Sequence, residues 1–233
     1  MSDDYPVVLI PGLACSPRIY APQVPVLWRH GPVVLANPAR DATMAAIARR
    51  ILAETPLRFA LAGHSMGGAV ALEIYRQAPE RITRLALLNT YARPSTPEFN
   101  ALCRGWIAEV KQGGYRAVVE RMFPSAVHPS RARDVALKSI VLAMADDVGP
   151  DAFVRQVEAI MSRPDARPTL AAIKCPTLVL TGDNDNSVPN LLSAEIASGI
   201  AGATLVTVPE CGHLSLLEKT GATTTALLDW LAM

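Results

Sequence analysis

The chain reads as an α/β protein: a doubly wound, mostly parallel six-stranded sheet carrying one helical insertion. Three observations lead there. Six short runs are continuously apolar, helix-period segments separate them, and one interval of about 75 residues holds no convincing strand, far beyond the length of an ordinary loop. Continuous rather than alternating apolar runs are how strands covered on both faces read, and helical crossovers permit parallel pairing.

In chain order, "PVVLI" (Pro6–Ile10) and "PVVLA" (Pro32–Ala36) are strands, followed by a helix over Ala42–Ala53. "RFALA" (Arg58–Ala62) is the third strand, and the helix Met66–Ala78 follows it almost without a loop. "LALLN" (Leu85–Asn89) is the fourth. From about residue 93 to 168 only helical patterns occur, broken by "ARPSTPE", "KQGG", "FPSAVHPS", "DDVGP" and "SRPDARP". This stretch is expected as a helical cap over one end of the sheet, inside a single domain spanning residues 1–233. The alternation then resumes with "TLVLT" (Thr177–Thr181), a helix over Asn190–Ile200, "TLVTV" (Thr204–Val208) and a helix over Leu214–Leu231.

Composition narrows the function. With 22 Lys and Arg against 21 Asp and Glu, net charge is +1, so neither a nucleic-acid face nor an acidic tail is implied. The N-terminus, "MSDDYPVVLIPG", is acidic where a secretion signal would be basic, and no apolar run reaches the ~20 residues of a membrane helix. A cytoplasmic location is the expectation. Cys15, Cys103, Cys175 and Cys211 form no C-x-x-C pair, so no zinc site or disulfide framework is expected.

Chemistry enters at "LAGHSMGG". Gly63-His64-Ser65-Met66-Gly67 has the form G-x-S-x-G between a strand and a helix, the context in which a serine stands on a sharp, exposed turn. The glycines avoid clashes in that turn, and the N-terminus of the following helix favours negative charge. A serine hydroxyl needs a base. Of the four histidines, His64 should point away from the turn, His30 precedes a strand at the wrong edge, and His128 lies in the insertion. His213, in "VPECGHLSLLE", follows the last strand on the same edge as Ser65 and is the candidate base. A carboxylate must orient it, and "VLTGDNDNSVP" offers Asp183 and Asp185; spacing does not separate them.

Four segments, "VVLIPGLACSP", "LAGHSMGGAVALEIYRQAPERITRLALLN", "IKCPTLVLTGDNDNSVP" and "VPECGHLSLLE", resemble the α/β-hydrolase superfamily, in particular its small capped esterase and lactonase-like members. The resemblance implies the order Ser65, Asp, His213, and its G-x-x-D-x-x-x-P pattern falls on Gly182, Asp185 and Pro189, which selects Asp185. It implies an oxyanion hole from the backbone N–H groups of Leu13 and Met66, in a loop where Pro11 replaces the usual His. It also implies that the superfamily's first antiparallel hairpin is missing, and it finds Glu218 where relatives often carry Glu.

The expected activity is therefore hydrolysis of a small-molecule carboxylic ester, thioester or lactone through an acyl-enzyme, carboxylesterase-like, with no cofactor and no metal. Perhydrolase, carbon–carbon hydrolase or acyltransferase chemistry on the same residues is the alternative, as is a non-catalytic binding module. The apolar residues of the insertion, among them Trp106, Tyr115, Met122, Phe123, Met144, Phe153 and Met161, are read chiefly as its interior, and its arginines as a mixed-charge face.

Overall fold

The computed structural model describes residues 5–233. The acidic N-terminal Met1–Asp4 weighed above lie outside the described residues. Among the described residues six strands form one sheet: β1 (Val7–Ile10), β2 (Val33–Leu35), β3 (Phe59–His64), β4 (Ile82–Leu88), β5 (Thr177–Gly182) and β6 (Thr204–Val208). Their order is β2-β1-β3-β4-β5-β6 and every pairing is parallel. The helices are α1 (Val24–Leu27), α2 (Met44–Glu54), α3 (Met66–Gln77), α4 (Pro97–Lys111), α5 (Tyr115–Ala126), α6 (Val135–Val148), α7 (Pro150–Met161), α8 (Arg167–Leu170), α9 (Asn190–Gly199), α10 (Ser215–Glu218) and α11 (Thr220–Leu231).

The unbroken apolar strands have a direct cause. Successive side chains of a strand point to opposite faces, and both faces here are covered. Val8, Ile10, Phe59, Leu61, Leu85, Leu87 and Val179 pack with Met44 and Ile47 of α2, Val70 and Ile74 of α3, and Ile196 of α9. Their neighbours Val7, Leu9, Ala60, Ala62, Ala86, Leu88, Leu178 and Leu180 pack with Tyr20, with Leu27 of α1, and with Leu227 and Trp230 of α11. Two-sided burial stops at the sheet edges, where Leu35 of β2 and Leu205 of β6 are exposed.

The ends of the helices follow local chemistry. Thr43 caps α2 through Ala46 N–H, Thr96 caps α4 through Phe99 N–H, and Asp134 caps α6 through Leu137 N–H. The single helix expected over Leu214–Leu231 is two. Lys219 leaves the helical region at φ −130°, ψ 56°, and the Glu218 side chain turns back to accept Gly212 and Leu214 N–H. Short 3-10 turns at Pro17–Tyr20 and Trp28–His30, unmarked by periodicity, carry the chain from β1 to β2.

Between β4 and β5 the chain builds α4 to α7, with α4 against α7 and α5 against α6. Cys103, Val110, Val118, Val119, Leu142, Phe153 and Val157 form their interior, joined by Trp106, Tyr115, Met122 and Met161, whereas Phe123 and Met144 belong to the sheet-side cluster. Insertion arginines pair with acids: Arg116 with Asp146, Arg121 with Glu109, Arg131 with Asp134.

Leu180, on β5 beside the edge strand β6, has no exposed surface. Leu180→Ala is expected to lower the unfolding free energy by about 2–5 kcal/mol through lost transfer energy and a cavity. Leu57→Ala, at a side chain 80% exposed, is expected to stay within about 0.5 kcal/mol. Urea denaturation followed by circular dichroism measures both.

Candidate active site

β3 ends at His64 and α3 begins at Met66, leaving Ser65 alone between them. Its backbone sits at φ 54°, ψ −117°, a region L-residues rarely occupy. Several contacts hold it there. Ser65 N–H donates to the Leu88 carbonyl at 2.8 Å, extending the β3–β4 ladder, and the Ser65 carbonyl accepts Gly68 N–H at 2.9 Å and the Thr90 hydroxyl at 2.8 Å. The turn is tight enough that a Cβ on Gly63 would collide with the Gly67 carbonyl, and one on Gly67 with the Ile10 carbonyl. That second approach brings the end of β1, and the loop after it, against the first turn of α3.

In that loop lies Leu13, whose N–H has no partner among the described residues. Met66 opens α3, so its N–H has no intrahelical acceptor. The loop lies close to the serine, for a Cβ on Gly12, the residue before Leu13, would stand 3.1 Å from Ser65 Cβ. Ser65 Oγ itself has no hydrogen-bond partner among the described residues.

His213 follows β6 and is buried, as is Asp185 after β5. His213 Nδ1 lies 2.8 Å from Asp185 Oδ2. The carboxylate can only accept, so Nδ1 carries the proton and Nε2 is left as the basic edge. Asp185 is fully engaged: Oδ2 also accepts from Asn89 Nδ2 at 3.0 Å, and Oδ1 accepts Ser187 and Val188 N–H at 2.9 and 2.8 Å. Burial opposes its ionisation, but His213, Asn89 and backbone N–H together hold the carboxyl below its usual range. Asp183 does different work. Exposed at the turn, it accepts Cys211 N–H at 3.0 Å, and chiefly that bond draws its carboxyl down to about 2.

Three residues near the site carried no role in the sequence reading. Asn89, fully buried at φ 49°, donates to Asp185 and to the Gly212 carbonyl and accepts the Ser215 hydroxyl at 2.6 Å. It ties the acid, the histidine loop and α10 together; an Asn closing an apolar strand was its only mark. Glu218 accepts Gly212 N–H at 3.1 Å, Leu214 N–H at 3.2 Å and His128 N–H at 2.7 Å, while burial pushes its carboxyl up. His64 is buried. Its Nε2 donates to the His213 carbonyl at 2.9 Å, linking the serine turn to the histidine loop, and the two rings stand 5.1 Å apart. Burial, then the nearby His213, push His64 down to about 3. Among the described residues, no group of three or more His, Cys, Asp or Glu could hold a metal ion, and no helix is long and apolar enough to cross a membrane.

Residues 7–225 match the model of a family described as the alpha/beta hydrolase family. Over 99% of the chain and 93% of the relative, the sequence is 30% identical to a protein of Variovorax paradoxus strain S110 assigned as the carbamate hydrolase RutD. Among solved structures, a thermophilic esterase from Thermogutta terrifontis superposes with a TM-score of 0.89 at 27% identity, covering 98% of this chain and 89% of that one. The enol-lactonase from Burkholderia xenovorans LB400 also gives 0.89, at 25% identity and with coverage of 98% and 92%.

Buried His64 makes stability depend on pH. The unfolded chain takes up a proton at this residue near pH 6.5, whereas the folded one resists until about 3. Stability is therefore lost as pH falls through that window, by about 2–3 kcal/mol between pH 7 and 4.5 from this residue. The depressed Asp185 contributes only below about pH 4, and the raised Glu218 acts with the opposite sign. His64→Gln keeps an N–H donor without the titration, so urea midpoints of this variant are expected to fall less than wild type between pH 7 and 4.5. Parallel slopes in the two proteins would contradict the assignment.

Proposed function

The chain belongs to the alpha/beta hydrolase family, and we propose that it is a serine hydrolase acting on a small carboxylic ester, thioester or lactone, with Ser65, His213 and Asp185 as its triad. The observation that carries this reading is the buried Asp185–His213 hydrogen bond on the same sheet edge as a serine held in a strained turn. Hydrolase chemistry is common to the relatives, and an esterase and an enol-lactonase are the structural neighbours at 27% and 25% identity. Residues 93–168 serve in this reading as an insertion covering the site within one domain.

Ser65 Oγ attacks the substrate carbonyl while His213 Nε2 takes its proton. Asp185 keeps Nδ1–H in place and stabilises the imidazolium that forms. Negative charge developing on the carbonyl oxygen is met by the N–H groups of Leu13 and Met66; loss of one such donor typically costs about 3–4 kcal/mol of transition-state stabilisation. The imidazolium then protonates the leaving group, and water, activated by the same base, cleaves the acyl-enzyme. Similarity to RutD makes carbamates the natural companion substrates to test.

A fluorophosphonate probe is expected to label the wild type, to fail on Ser65→Ala and to react far more slowly with His213→Ala. Hydrolysis of p-nitrophenyl esters is expected to fall by about 10⁶-fold in Ser65→Ala and by about 10⁴-fold in Asp185→Asn. Asp183→Asn should retain activity within severalfold, since its side chain braces a turn. An unlabelled wild type would leave a binding module; an inactive Asp183→Asn beside an active Asp185→Asn would reassign the acid.

A further inference from the structure

One buried side chain in the insertion has a contact that packing does not require. Gln156, on α7, is completely buried in a helix whose inner face is otherwise apolar. Its Oε1 accepts the Ala14 N–H at 3.1 Å, across 142 residues of chain. Its Nε2 has no partner among the described residues. The amide orientation follows from chemistry, because only the oxygen can accept a backbone N–H. A leucine would fill this space without burying an orphaned donor, so the Ala14 bond is the one polar contact that gives the amide a purpose.

Ala14 adjoins Leu13 and stands at φ 54°, a left-handed conformation unfavourable for any residue with a Cβ. Cys15 N–H closes the turn onto the Gly12 carbonyl at 3.2 Å. The Leu13 N–H thus rides on a strained loop whose next peptide is tied to the insertion. We propose that Gln156 is a positioning residue for the reaction: by fixing the Leu13–Ala14 peptide it aims the Leu13 N–H at the oxygen that becomes negative in the transition state. The inference rests on the serine-hydrolase reading above. A second tether supports it, since Ser16 Oγ donates to Asp147 Oδ2 at 2.7 Å and Arg18 Nε to the same oxygen at 2.6 Å, which brings the end of α6 onto the same loop. These two bonds hold the far side of the loop, and Gln156 holds the residue next to the donor.

The test compares wild type with Gln156→Leu, which removes the acceptor, and Gln156→Glu, which keeps an oxygen at the same reach. Three measurements are made: kcat and KM on a p-nitrophenyl ester, the inhibition constant of a trifluoromethyl ketone whose hemiketal oxyanion occupies the same hole, and hydrogen–deuterium exchange of the peptide containing residues 11–16. Gln156→Leu is expected to lower kcat and ketone affinity together, by about 10- to 100-fold, a fraction of what loss of a whole oxyanion donor typically removes. KM should change little, the melting temperature should hold, and the loop should exchange faster. Gln156→Glu should fall between the two in both respects. Unchanged kcat and ketone affinity in Gln156→Leu would overturn the proposal, with or without faster exchange, as would a loss confined to KM. If Gln156→Leu does not fold, an unimpaired loop and kcat in Gln156→Ser, too short to reach Ala14, would overturn it equally. A wild type unreactive toward fluorophosphonate removes the hydrolase reading and this role with it. A labelled wild type with an indifferent Gln156 removes this role alone.

Discussion

The rest of the site depends on one backbone contact. α3 starts so close to the end of β1 that only hydrogen fits at Gly67, beneath the carbonyls of Ile10 and Pro11. This approach does two things at once. It forces Ser65 into the narrow turn between β3 and α3, and it brings the loop after β1 alongside that serine. Had the helix started farther away, Ser65 could relax to an ordinary backbone conformation, and the loop after β1 would no longer lie against it. The strain at Ser65 is borne by the ladder bond to Leu88, the hydroxyl of Thr90 and the first turn of α3. A chain tolerates a strained residue only where its surroundings over-determine it, and here three separate elements do so.

A second constraint acts on the histidine loop, which crosses from β6 to α10 with its polar groups buried. Buried donors and acceptors are costly unless paired, and the pairing is close to complete. Asp185 accepts four hydrogen bonds, Glu218 takes three backbone N–H groups, and Asn89 uses both ends of its amide. Burial disfavours the ionised form of both carboxyls, but their partners differ. At Asp185 the imidazole and the hydrogen bonds outweigh burial, whereas at Glu218 three backbone N–H groups and nearby Arg131 do not, and the carboxyl is pushed up. His64 completes the frame by bonding the His213 carbonyl. A neutral imidazole suits that place, since a second cation beside His213 would disfavour proton uptake there.

Much of the fold was legible because it is written in local pattern. Apolar runs covered on both faces, helix periodicity and the G-x-S-x-G turn each occupy a few consecutive residues. The edges of the sheet and the break at Lys219 were not legible, because they reflect what lies beside a strand or which way one glutamate turns. Ser65 and His213 stood out, one by its motif and the other by following the last strand. Asp183 and Asp185 could not be separated by spacing, since both occupy one turn. Their fates differ because Asp183 meets a backbone N–H and Asp185 meets an imidazole. Asn89 and Gln156 act on residues 96 and 142 positions away, and contacts of that reach leave no trace in local sequence.

The arrangement of the insertion bears on how the site works. Its polar groups reach the loops after β1, β5 and β6 at the carboxyl edge of the sheet. The Ala126 carbonyl accepts the N–H groups of both His213 and Leu214, His128 N–H joins Glu218, and Ser187 Oγ donates to the Ser125 carbonyl beside the acid loop. Gln156 and Asp147 hold the loop after β1. A lid that swung clear would break these bonds together and expose the buried carboxyls of Asp185 and Glu218. That linkage makes α5 to α7 part of the frame that holds these loops.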